Sequence, residues 1–385
     1  MRNEIIFTNA RVVTRDDVFI GTVRAADGRI AAVERDRANG TAAPAGAVDL
    51  RGDYLVPGMV DVHTDNLERH MLPRSTARWP GLAALLSHDA QVAGSGITTV
   101  LDAVCLGMDY NAEGPVRDFA DDSVVALREA TASGWLRAEH FLHLRCDLPG
   151  KDTAVQLESF LDEPLLRMVS LIDHTPGQRQ VRDLARARRA FAQQGRLSEQ
   201  EWVERLAWMR GKQAKYAAAN RRRVLDLMDG RAIPVASHDD TTVEHVAEAH
   251  ASGIRICEFP TTLEAAQAAR SRGMSTVMGA PNVVLGKSQS GNVSVREVTA
   301  AGLLDCLSSD YAPISMLHAA FLLAEGDEGR LPEAVAMVTA NPAAMVGLHD
   351  RGIIEAGRRA DLVQVQASGA IPRVVRVWRE GERVA

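Results

Sequence analysis

From Val56 onward the chain repeats one pattern: a short run rich in apolar and β-branched residues, then a longer stretch with helical periodicity. Eight such runs can be placed, at 56–63, 97–104, 136–144, 168–174, 232–238, 254–259, 275–280 and 303–309. Strands alternating with helices give a parallel sheet wrapped by helices, and eight strands are enough to close that sheet into a TIM-like (β/α)8 barrel. An α/β barrel over 56–349 is therefore expected. The flanks read differently. Residues 1–55 hold short alternating runs with Asp27-Gly28 as a hairpin turn, and 350–385 returns to strand-and-turn character. Neither flank is long enough to bury a core alone, so both termini should pair into one small β-sandwich domain.

Composition narrows the function. With 385 residues, 46% of them hydrophobic, the chain can fill both cores. Its formal net charge of −6 carries no polyanion-binding signature, so nucleic acid is not an expected partner. Met1–Phe7 lacks the apolar centre of a signal peptide, and no run reaches the roughly 18 apolar residues of a membrane span. A cytoplasmic protein without a membrane partner is expected. Cys105, Cys146, Cys257 and Cys306 lie singly in apolar runs and read as buried thiols. One stretch breaks the rhythm: a helical insertion at 178–231 holds Trp202 and Trp208, and 14 Arg and Lys against 6 Asp and Glu between Arg179 and Arg231. It is either a solvated helix face or a basic lid over an anionic substrate.

Barrels of this kind place chemistry at the carboxyl ends of their strands. Ligand-type residues fall there: His63 and Asp65 after the first strand, with 61, 63 and 65 on one face if alternation is strict. His143, Arg145 and Asp147 end the third strand, Asp173 and His174 the fourth, and His238, Asp239 and Asp240 the fifth. Glu258 ends the sixth and Asp310 the eighth. Imidazole and carboxylate donors aimed at one mouth suit a divalent cation such as zinc, manganese or iron. Asp310 fits a general base beside activated water, or a cap on the segment after it. The loop Gly279–Asn292, with Gly286, Lys287, Ser288, Ser290 and Gly291, suits phosphate without the spacing of a P-loop. It can also be read as a plain Gly/Ser loop.

Pro57-Gly58-Met59-Val60-Asp61-Val62-His63, Thr339-Ala340-Asn341-Pro342-Ala343, Asp350-Arg351-Gly352 and Gly357-Arg358-Arg359-Ala360-Asp361-Leu362-Val363 resemble the amidohydrolase superfamily over nearly the full length. The resemblance implies a metal-dependent hydrolase, by habit a homodimer. The usual first-strand pattern is His-x-His, whereas this chain has His63-Thr64-Asp65. With His143-Leu144-Arg145-Cys146-Asp147, Asp173 to Gln180, Ser237-His238-Asp239-Asp240 and Ser290-Gly291-Asn292, it is similar to the branch that serves phosphonate metabolism by the carbon–phosphorus lyase pathway. That likeness implies hydrolysis of a triphosphate on ribose C5, with pyrophosphate released and the 5-phosphate retained. One or two ions would be held by His63, Asp65, His174, His238 and Asp310, with His143 and Glu258 as further ligands. His238 and Asp310 would be catalytic. Arg145, Arg179, Asn282, Lys287, Ser288, Ser290 and Asn292 would serve the anionic substrate. No lysine on the fourth strand offers the usual carbamate bridge. Two other readings compete: cyclic amide or imide hydrolysis, which the basic insertion argues against, and a scaffold relative without metal, which the full set of ligand-type residues argues against.

Overall fold

The computed structural model describes residues 4–36, 44–74, 77–107, 119–194, 198–288, 290–367 and 371–385. The chain opens with β1 (Glu4–Val13), β2 (Val18–Ala26), β3 (Arg29–Arg35), β4 (Val48–Asp49) and β5 (Tyr54–Pro57). Asp27 and Gly28 join β2 to β3 with φ of 52° and 78°, the left-handed pair that a two-residue hairpin demands. The barrel strands are β6 (Met59–Thr64), β7 (Ile97–Leu106), β8 (Glu139–Asp147), β9 (Leu166–Ile172), β10 (Val235–His238), β11 (Ile256–Glu258), β12 (Ser275–Gly279) and β13 (Cys306–Ser308). They pair in chain order, all parallel.

Between them run α1 (Asn66–Met71), α2 (Gly81–Gly94), α3 (Phe119–Ala132), α4 (Thr153–Phe160), α5 (Leu184–Gln194), α6 (Glu199–Met228), α7 (Val243–Ala251), α8 (Leu263–Ser271), α9 (Ala280–Val284) and α10 (Val295–Ala300). After the last barrel strand come α11 (Ser315–Ala324), α12 (Leu331–Ala336) and α13 (Ala340–Met345). The chain ends with β14 (Leu362–Gln366), β15 (Arg373–Arg379) and β16 (Glu382–Arg383). No described helix is long and apolar enough to cross a membrane.

The termini share one sheet, ordered β16-β15-β14-β5-β1-β2-β3 with β4 beside β1. It curls back on itself, so Phe7 of β1 meets Trp378 of β15 edge to face at 4.8 Å over a core that includes Leu55, Ile30 and Leu362. The first barrel strand begins at Met59 rather than 56, because Val56 and Pro57 pair with Val363 and Leu362 in this sheet. Gly58 carries the chain from one sheet to the other. A Cβ there would stand 2.2 Å from Thr98 Oγ1, so only glycine fits the crossing.

One apolar residue from each barrel strand fills the interior: Val62, Leu101, Phe141, Met168, Ala236, Ile256, Val277 and Cys306. Strand alternation then puts His143 above Phe141, His238 above Ala236 and Glu258 above Ile256. In β6 strict alternation fails. Asp61 pairs with Val100 but Thr64 with Asp102, one residue more on β6 than on β7. Such a bulge re-aims side chains: Val62 enters the apolar layer, His63 reaches the site, and Asp61 turns to accept the Ser309 N–H at 3.0 Å. The expectation that 61, 63 and 65 share one face is corrected accordingly. The barrel closes through the site itself, where the Asp310 N–H donates to His63 O at 3.0 Å and the Asp65 N–H to Asp310 O at 2.7 Å. Lower down, Met337 and Val338 fill the seam by accepting from Leu307 and Val60.

Candidate metal centre

A cavity of about 240 Å³ opens at the carboxyl end of the strands, lined among others by His63, Asp65, Arg145, His174, His238, Asp239, Phe259 and Asp310. Beneath it Glu258, fully buried, takes the His63 Nδ1 proton on one oxygen at 2.7 Å and the His238 Nδ1 proton on the other at 2.6 Å. Both rings therefore turn Nε2 toward the cavity. His63 Nε2 has no hydrogen-bond partner. Phe259, at φ 53°, packs its ring edge to face against His63 at 4.9 Å and His238 at 5.3 Å, which walls the imidazoles in.

On one side of the cavity His63, Asp65 and Asp310 form a group whose donor atoms all lie within 4.8 Å of one another, and on the other side His174, His238 and Asp239 form a second. Asp239 Oδ2 stands 3.3 Å from His174 Nε2 and 3.5 Å from His238 Nε2, neither a hydrogen bond, and both of its buried oxygens are unpartnered. A buried carboxylate without donors is costly. A cation among these atoms would remove the cost, and imidazole with carboxylate is a donor set that zinc, manganese or iron accepts. The residues present fit a divalent metal.

Charge is set by burial and neighbours together. Burial disfavours ionised Asp65, yet Arg145, donating to it at 2.5 Å, and His63 hold its carboxyl well below the usual range. Burial, then Asp65, pushes Asp310 up. Burial would also lower His63, but Glu258 and Asp65 raise its pKa to about 10. His143 is pushed down to about 3 by burial, so its ring is neutral.

Of the residues expected to serve as ligands, catalytic groups or substrate contacts, His63, Asp65, His174, His238, Asp310, Arg145, Asn282, Ser288, Ser290 and Asn292 all line this cavity. Four stand elsewhere. Glu258 is near enough to His63 and His238 to share a group with them, but the two ring N–H groups already occupy its oxygens. His143 sits one pleat below Arg145, because β8 runs on to Asp147. Its Nδ1–H donates to Val62 O at 3.0 Å and its Nε2 is unpartnered. Arg179 is spent on structure, donating to His238 O at 3.0 Å and to buried Asp240 at 2.5 Å. Lys287 faces solvent. Asp239, which is not in the expected ligand set, joins His174 and His238 at the cavity, and its place directly after His238 is the sequence signal for it. Gln180, at the end of the Asp173 to Gln180 motif, and Phe259, an ordinary apolar residue in the sequence, also line the cavity.

A second buried group, His88, Asp102 and His140, lies outside the barrel wall between α2 and the strands. Its chemistry differs. Asp102 binds both rings at 2.7 Å, Asn66 donates to His88 Nδ1 at 2.9 Å, and His140 Nε2 reaches Asp89 at 3.4 Å. Every ring nitrogen is satisfied, so this group reads as a clamp of α2 onto the barrel.

The amidohydrolase family profile matches residues 213–385. The α-D-ribose 1-methylphosphonate 5-triphosphate diphosphatase of Escherichia coli (strain K12) is 41% identical over 382 residues, covering 99% of this chain and 100% of its own. Among solved structures, 5-methylcytosine deaminase from Klebsiella pneumoniae superposes with a TM-score of 0.66 at 15% identity over 99% of this chain and 97% of its own. N-acetylglucosamine-6-phosphate deacetylase from Pasteurella multocida gives 0.65 at 14% identity, over 99% of both chains. These two likenesses speak for the barrel fold alone. With a relative of that identity along its whole length and a family profile that matches its C-terminal part, the chain belongs to the amidohydrolase family.

Proposed function

We propose that this chain is a metal-dependent hydrolase that cleaves the 5-triphosphate of α-D-ribose 1-methylphosphonate 5-triphosphate, releasing pyrophosphate and keeping the 5-phosphate on the sugar. The observation that carries the reading is the convergence of two donor groups and Arg145 on one cavity in a chain 41% identical to the E. coli diphosphatase. His63, Asp65 and Asp310 would hold one divalent ion and His174, His238 and Asp239 a second, with zinc, manganese or iron as the candidates. When bound, such ions lower the pKa of water and neutralise phosphoryl charge.

The chain's own residues do the rest. Arg145, buried in the cavity wall, faces the phosphoryl oxygens, and its pairing with Asp65 keeps the guanidinium in place. Asn282, Ser288, Ser290 and Asn292 offer amide and hydroxyl donors to the remaining phosphates. Asp310, whose proton affinity is raised by burial and Asp65, takes the proton of the attacking water. The water oxygen bonds to the α-phosphorus while the bond from that phosphorus to the α–β bridging oxygen breaks in line, and pyrophosphate leaves. Glu258 keeps both imidazoles in one tautomer throughout.

Phosphorus NMR of the products, with Mn²⁺ or Zn²⁺ added, tests the proposal on the ribose triphosphate and on a nucleoside triphosphate. Pyrophosphate from the phosphonate sugar in preference to the nucleotide is the expected result. Orthophosphate as the first product, or no turnover of either, rejects it.

A further inference from the structure

The basic insertion touches the site at two glycines. Gly177, at φ 112° in the loop that follows His174, is overlain by Arg210 of α6, whose NH2 stands 2.9 Å from the place a Cβ would take. Arg210 also donates to Pro176 O at 3.4 Å. Gly291, at φ 70°, is overlain in the same way by Arg186 of α5, with NH1 2.6 Å from the Cβ position. Ser290 and Asn292, on either side of Gly291, line the cavity. Asp183 fixes the start of α5 by accepting the Ala185 and Arg186 N–H groups at 2.9 and 3.0 Å, so Arg186 leaves the helix from its first turn.

Resting on the diphosphatase reading above, we infer that Arg186 is a specificity residue for the two outer phosphates, the part of the substrate that leaves as pyrophosphate. Three features support it. Lys287, the cation within the phosphate-friendly loop, points to solvent, while Arg186 brings a guanidinium to that loop from outside. The left-handed backbone and absent side chain at Gly291 make room for it, so the NH1 end of the guanidinium reaches the loop next to Ser290 and Asn292. A planar guanidinium matches phosphate with two parallel N–H groups, which an ammonium cannot do. α5 thus carries a positive charge of the insertion to the loop that borders the cavity.

The test uses the metal-loaded enzyme, its Arg186→Ala and Arg186→Lys variants, and two measurements: steady-state hydrolysis of the ribose triphosphate, and calorimetric binding of inorganic pyrophosphate. Loss of a charged hydrogen-bond pair should raise KM and the pyrophosphate dissociation constant together by about 10- to 100-fold in Arg186→Ala. In that variant kcat should change by less than about threefold, and Arg186→Lys should recover only part of the loss. Unchanged KM and pyrophosphate binding in Arg186→Ala would overturn the inference. If the wild-type enzyme hydrolyses no triphosphate, the diphosphatase reading falls, and calorimetry still decides on Arg186. Pyrophosphate binding that is lost in Arg186→Ala supports it; equal binding, or none to the wild type, overturns it.

Discussion

Replacing Glu258 by Gln removes one charge and one acceptor from a fully buried carboxylate that now receives two ring N–H groups at 2.7 and 2.6 Å. The amide keeps a single acceptor oxygen, so it can hold His63 or His238 in the present tautomer but not both. The other ring meets an NH2 group and keeps its proton on Nε2, so that nitrogen offers a metal no lone pair. Losing one charged hydrogen bond costs about 1.5–3 kcal/mol, and loss of such a supporting carboxylate weakens metal binding by about 10- to 100-fold, which is the same free energy. Chelator competition on the purified variant measures the affinity, circular dichroism checks the fold, and added metal should restore part of kcat/KM. Metal affinity equal to the wild type would refute the orienting role. A loss as complete as that of His238→Asn, which removes a donor from the cavity itself, would make Glu258 a direct ligand instead.

Asp239→Asn keeps the volume but halves the acceptor capacity of a carboxylate whose two oxygens have no other partner, so bound metal should fall and turnover with it while the melting temperature of the metal-free protein holds or rises. Unchanged metal content would remove Asp239 from the ligand set. Burial opposes a charge on His140, but Asp102 and then Asp89 raise its pKa to about 9. Its stabilising contribution is therefore whole below the ordinary value near 6.5 and lost as pH rises through about 9; the stability gap between wild type and His140→Gln should shrink between pH 6 and pH 9.5 in urea titrations, and a gap that is constant or widens contradicts the charged pair. Gly58→Ala drives a methyl to 2.2 Å from Thr98 Oγ1 and 2.9 Å from Asp361 Cβ, and should cost about 1–3 kcal/mol of stability, read as a lowered midpoint in the same titrations.

The number and order of the barrel strands were legible because eight buried parallel strands need eight apolar runs, and each run donates one residue to the interior layer. Where they begin and end was less so, since a strand stops where its neighbour stops offering partners. Nothing local distinguishes Val56 and Pro57, which pair with β14, from Met59, which starts the barrel. The site divides along the same line. Residue type made His63, His174, His238 and Asp310 visible at strand ends, but depth along the barrel axis depends on stagger between strands. Hence His143 falls one pleat low, and Glu258 goes behind the imidazoles it was expected to join. The bulge in β6 is the sharpest case. Its single extra residue sends Val62 into the core and His63 into the cavity, although regular alternation puts 61 and 63 together. The reason lies across the seam, where the Asp310 N–H donates to His63 O, Asp310 O accepts from the Asp65 N–H, and the Ser309 N–H donates to the carboxylate of Asp61. The contacts that close the barrel are thus the contacts that aim its first donor, and a pairing between residues almost 250 positions apart in the chain leaves no trace in the periodicity of either partner.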